Sequence, residues 1–158
     1  MNRYQLTPSP GRMGVDFETR VNFDRLRDYR ITRARQALEK SDLGAVLLFD
    51  INNIRYVSST MIGEWARDKM ARFCLLPRNG EPIVWDFGSA AKHHKLYSPW
   101  IKPENSRAGM LGLRGSVDPK VGLFDDAVKE IVGILSDLGL KDMPLGVDIA
   151  ELPMIFAL

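Results

Sequence analysis

The run Gly44-Ala45-Val46-Leu47-Leu48-Phe49 carries apolar side chains at successive positions. Alternate side chains of a strand point to opposite faces, so such a run needs cover on both. That excludes a sheet with one wet side and calls for helices above and below it. The chain supplies them. Phe23, Leu26, Ile31, Ala34, Ala37 and Leu38 fall within one arc of a 3.6-residue helix, with Asp42-Leu43-Gly44 as its stop signal. Arg27 and Arg30 interrupt the arc, so each must reach out to water along its stem or meet an acidic partner. Farther on, Asp118-Pro119 offers an N-cap and a first-turn proline. After it, Phe124, Ala127, Val128, Ile131, Leu135 and Leu138 form an i, i+3, i+4, i+7 stripe.

Between these helices, 71–77 and 82–86 flank Arg78-Asn79-Gly80-Glu81, where Asn-Gly signals an antiparallel hairpin. Residues 88–97 read as a short helix, 100–102 as a brief strand ending at Pro103, and 105–116 as a loop. Residues 145–149 read as a strand, and Ala150 opens another helical pattern. Ser41-Asp42-Leu43-Gly44 returns as Ser136-Asp137-Leu138-Gly139, each time between an amphipathic helix and a strand, which suggests one helix stop used twice. The expected fold class is α/β, three layers (α/β/α) around a mixed sheet. Residues 1–22, with two prolines and two glycines among polar neighbours in the first 20, read as an arm without its own core; residues 23–158 read as the domain.

With 158 residues and 45% hydrophobic content, the chain can bury one real core. Twenty-two Lys+Arg against 20 Asp+Glu leave a net charge of +2, which makes no electrostatic case for nucleic acid. The arginines between Arg20 and Arg35 alternate with Asp24 and Asp28, as on a solvated helix face. A single cysteine, Cys74, excludes an internal disulfide and suits a reducing cytoplasm. No signal-peptide core opens the chain, and the longest apolar run, Ala45 to Phe49, is far too short to span a bilayer. A cytoplasmic protein without a membrane partner is expected.

Catalytic sets are harder to find. His93 and His94 are adjacent in a helical stretch, where neighbours point about 100° apart and cannot share an ion unaided. Asp125-Asp126 reads as solvated charge beside the apolar stripe. Cys74 lies in Phe73-Cys74-Leu75-Leu76-Pro77, where a thiol is an inert packing group. No nucleophile elbow, dinucleotide loop or phosphate loop occurs. No catalytic residue and no metal ligand is assigned.

The remaining candidate is Phe49-Asp50-Ile51-Asn52-Asn53-Ile54-Arg55-Tyr56, together with residues 60–68, at the carboxyl end of the most buried strand. Ligand clefts of α/β sheets gather there. In one reading Asn53 offers a directed amide, Arg55 clamps a carboxylate, and Tyr56 with Trp65 forms an aromatic wall suited also to a cation. In the other, an Asx residue caps a short helix, Ile54 and Val57 face the core, and Tyr56 packs on its edge. Spacing leaves both open.

The order helix, GAVLLFDINNIRYVSS, gap, ARFCLLPRNGEPIVWD, helix, long helix and LGVDIAELP resembles the N-terminal domain of the creatinase/prolidase superfamily, from about Phe23 to the end. Its most specific parts are Asn53-Ile54-Arg55-Tyr56, the Asn-Gly-Glu-Pro hairpin and Gly146-Val147-Asp148. The segment DFETRVNFDRLRDYR looks closest to the branch holding proline dipeptidase-like proteins and non-peptidase relatives such as dimethylsulfoniopropionate lyase and ectoine hydrolase. The resemblance implies a ribonuclease H-like motif and a pita-bread catalytic partner domain outside these residues. That partner would hold divalent metals (Mn, Co, Zn or Fe), while this chain carries no cofactor. It also implies a homodimer and a short peptide or small-molecule substrate. The activity implied first is that of a metal-dependent Xaa-Pro aminopeptidase or dipeptidase, with a lyase or small-molecule amidohydrolase as the alternative; a free-standing binding module is the reading outside the superfamily. On that resemblance Asn53, Arg55, Tyr56 and Trp65 line the substrate cleft.

Overall fold

The computed structural model describes residues 21–62, 69, 71–109, 122–149 and 158. Its elements are α1 (Phe23–Glu39), β1 (Ala45–Leu48), α2 (Ile51–Ser58), β2 (Phe73–Pro77), β3 (Ile83–Asp86), α3 (Gly88–Tyr97), β4 (Ser106–Ala108), α4 (Leu123–Asp137) and β5 (Leu145–Val147). The strands form one sheet in the order β4-β3-β2-β1-β5. β2 runs antiparallel to both β1 and β3, while β5 lies parallel to β1 and β4 parallel to β3. The sheet is therefore mixed, as expected.

Both faces of β1 are covered. Ala45, Leu47 and Phe49 join Phe73, Leu75, Ile83 and Trp85 beneath Ala127, Ile131 and Leu135 of α4. Leu48 faces the other way, into a smaller cluster with Ile54, Cys74 and Val84, flanked by Val46 and Val57. The continuous apolar run and the three layers have the same cause: a strand with no wet face needs a helix on each side. On the α4 face Phe73 stacks on Trp85 at 4.9 Å between ring centroids and lies 5.7 Å from Phe49. No described helix is long and apolar enough to cross a membrane.

Several local expectations change. Residues 100–102 form no strand; the pairing segment is Ser106–Ala108, which follows a 3-10 turn at Pro103–Asn105. Ile101 N–H instead closes a turn onto Ser98 O, and the Trp100 indole donates to Ser58 O. Ser106, in the stretch read as loop, is buried with its hydroxyl on Ala91 O. The free edge of β3 selects the strand here, and local β-propensity yields to it.

The repeated tetrapeptide also does two different jobs. Gly139 follows the α4 C-cap in a left-handed conformation, φ 69°. Gly44 has no positive φ; its N–H bonds Pro144 O, and a Cβ there would come within 2.7 Å of Met143 Cβ. It is a close-approach glycine, and α1 has already ended at Lys40. Asn22 belongs with the domain as the cap of α1, its side chain accepting from Arg25 N–H. Arg27 does pair with Asp24, but it also lies 4.2 Å over Trp100, and Arg30 lies 5.6 Å over Tyr56, so aromatic faces meet both cations. Asp118-Pro119 and Ala150 onward lie outside the described residues, as does the arm up to residue 20.

Candidate functional site

β1 and β5 run parallel, so their carboxyl ends open on the same side of the sheet. Asp50, two residues past the end of β1, caps α2. Its Oδ1 accepts from the backbone N–H of Asn52 at 2.8 Å and of Asn53 at 3.2 Å. Ile54 is fully buried and Val57 packs on the smaller core cluster. The local geometry is thus that of a capped helix.

Asp148, just past β5, ties the same corner together. Its Oδ1 accepts from Phe49 N–H at 2.7 Å and Ile149 N–H at 2.6 Å; its Oδ2 accepts from Asp50 N–H at 3.1 Å and the Asn53 side-chain amide at 3.0 Å. Burial alone would push this carboxyl's pKa up. The donors outweigh burial, the Asn53 amide first and then the backbone groups, and hold it below the usual carboxylate value.

The residues singled out from the sequence separate. Asn53 and Tyr56, one helical turn apart, line an apolar groove of about 330 Å³ with Ala34, Ala37, Leu48 and Leu76. Arg55 is exposed, does not line that groove, and makes no ion pair among the described residues. Trp65 lies outside the described residues, with Gly63 and Glu64. The structure therefore brings Asn53 and Tyr56 together and turns Arg55 elsewhere.

A second constellation was not singled out from the sequence. Arg72, Asp86 and His94 are 1%, 0% and 2% exposed, yet all are polar. The Arg72 guanidinium donates to both Asp86 oxygens at 3.3 Å, and to Thr60 through its backbone carbonyl at 3.0 Å and its hydroxyl at 2.7 Å. With Nε2 protonated, His94 donates to Asp86 Oδ2 at 2.7 Å, and Ser98 Oγ stands 3.5 Å from its Nδ1. Burial pulls the Arg72 pKa below its ordinary value, against the opposing pull of Asp86. The hairpin pairs Phe73 with Trp85 and Cys74 with Val84, so one further step sets Arg72 opposite Asp86. Opposite charges at equal distances on either side of Asn79 were the signal available in the sequence.

The serial Asp86-His94-Ser98 order is not a hydrolytic triad. Ser98 is 6% exposed, its Oγ stands 3.5 Å from His94 Nδ1, and both Asp86 oxygens already accept from Arg72. Cys74 is fully buried, and its thiol is pushed up to about 12 by that burial. Among the described residues no group of three His, Cys, Asp or Glu side chains could hold a metal ion.

No family model matches the chain. It is 28% identical over 130 residues to dimethylsulfoniopropionate lyase DddP of Roseovarius nubinhibens. The match takes in 80% of this chain but only 28% of that protein.

Proposed function

We propose that this chain is the non-catalytic N-terminal domain of a creatinase/prolidase-type enzyme whose reaction is of the lyase class and whose substrate is a small sulfonium or related cationic acid. The similarity to a dimethylsulfoniopropionate lyase across 80% of the chain carries the reading. The α/β/α layering around a mixed sheet is consistent with it. Nothing favours the Xaa-Pro peptidase reading over this one.

The chain spans 28% of that relative's length; on this reading the reaction belongs to residues outside it. On this reading the divalent metals that the resemblance implies belong there too. What this domain contributes is a wall. The carboxyl end of β1 borders the substrate mouth, with Asn53 tying its corner to Asp148, Arg55 offering an exposed cation to a substrate carboxylate, and Tyr56 and Trp65 supplying aromatic surface. A homodimer sets this wall beside the cleft, and the single buried thiol suits a cytoplasmic setting.

The full-length protein, supplied in turn with manganese, cobalt, zinc or iron, is the material for the test. Turnover of dimethylsulfoniopropionate without cleavage of Xaa-Pro dipeptides is expected. Dipeptide cleavage without turnover of the sulfonium compound would overturn the reading.

A further inference from the structure

Helix α2 has only eight residues, too few to hold itself in one orientation, and it carries three of the proposed wall residues. Both of its ends are tied to other elements by charged side chains. At the amino end the Asp148 carboxylate, reaching across from β5, holds Phe49 N–H, Asp50 N–H and the Asn53 amide. At the carboxyl end Arg72, at the foot of β2, holds the carbonyl and hydroxyl of Thr60. Thr60 Oγ1 in turn lies 2.7 Å from Ser58 Oγ, whose hydroxyl also stands 2.7 Å from Ile54 O. The Trp100 indole takes the Ser58 carbonyl at 2.9 Å. Between these anchors Ser59 closes the helix in a left-handed conformation, φ 52°, although it is not glycine.

The carboxyl-end anchor is built in a way that stability alone does not require. A buried guanidinium, carboxylate and imidazole cost desolvation that apolar side chains of similar volume avoid. The Arg72 Nε–H also finds no acceptor among the described residues. What such a cluster supplies is direction, because a planar guanidinium held against Asp86 can meet Thr60 from one side only. His94 completes the set by fixing Asp86 from α3.

We infer that Arg72 and Asp148 are positioning residues, with Asp86 and His94 holding Arg72 in place: together they lock α2 at both ends and so fix how Asn53, Arg55 and Tyr56 face the substrate mouth. The assignment of a mouth rests on the function proposed above, whereas the locking of α2 does not.

Amide hydrogen exchange on this chain tests the lock directly. In the triple variant Arg72→Met, Asp86→Leu, His94→Leu, amides of the last α2 turn through Thr60 should exchange roughly 10- to 100-fold faster, the equivalent of about one lost hydrogen bond to a charged group, with β2 and β3 unchanged. Unchanged protection of α2, or a loss spread evenly over the sheet, would overturn the inference. Should the triple variant fail to fold, Thr60→Val removes a single hydroxyl, with its contacts to Arg72 and Ser58; roughly tenfold faster local exchange is expected, and no change would contradict it. In the full-length enzyme Thr60→Val should raise KM for dimethylsulfoniopropionate more than it lowers kcat. Equal loss in both would mean a structural role only. If the wild-type enzyme ignores that substrate, the proposed function fails and the exchange result still decides the lock.

Discussion

On the α4 face of the sheet, Phe73 lies between Phe49 and Trp85, and Ala127, Ile131 and Leu135 close over them. On the opposite face Leu48, Ile54, Cys74 and Val84 make a smaller apolar group, and the neighbouring interior is given to Arg72, Asp86, His94 and Thr60. The first face buries aromatic and aliphatic area and asks little of angles. The second spends interior volume on groups that interact only in particular directions. A short helix bearing candidate binding residues sits above the second. The contrast assigns cohesion mainly to one side of the sheet and orientation to the other.

Replacing Phe73 by alanine should break the cohesive side most severely. The loss is expected at about 3–5 kcal/mol of unfolding free energy in urea titration, since neighbouring rings cannot collapse into the space. A loss under about 1 kcal/mol would mean that the α4 face is not the main core. A smaller effect is expected at the cap of the short helix. Asp50→Ala removes the α2 cap and should cost about 1 kcal/mol by the same titration, leaving the rest of the fold intact. Finer still is the pH response of Asp148. Its native pKa is held below the unfolded value of about 3.9, so its contribution is complete above that value and fades as pH falls through the lowered native one. Between pH 5 and pH 2 the stability of the wild type should therefore fall more steeply than that of Asp148→Asn. Parallel slopes would show that the carboxylate is not the anchor described.

The two faces were unequally legible in the sequence. The apolar run at 44–49 and the stripe through Phe124, Ala127, Val128, Ile131 and Leu135 report burial by periodicity alone, and the cohesive face followed from them. The Asn79-Gly80 hairpin also followed, because turn chemistry is local. β4 did not, since Ser106-Arg107-Ala108 becomes a strand only by taking the free edge of β3. The Arg72 cluster stayed hidden for a related reason. Charged residues read as solvated until a cross-strand register sets Arg72 opposite Asp86, and His94 beside His93 carries no sign of a distant carboxylate partner. At the strand exit, capping by Asp50 was readable, whereas three of the four donors to Asp148 come from a segment about a hundred residues away.

Urea unfolding of two variants side by side tests most directly whether the polar side orients and does not cohere. Asp86→Ala alone strands the Arg72 charge in the interior and should lose about 3–5 kcal/mol. Arg72→Met, Asp86→Leu, His94→Leu removes the whole buried set and should recover most of that loss, ending within about 1–2 kcal/mol of the wild type, the remainder reflecting the freed Thr60 carbonyl. A triple variant as unstable as Asp86→Ala, or more so, would show that the cluster holds the fold together and would contradict the division between the two faces.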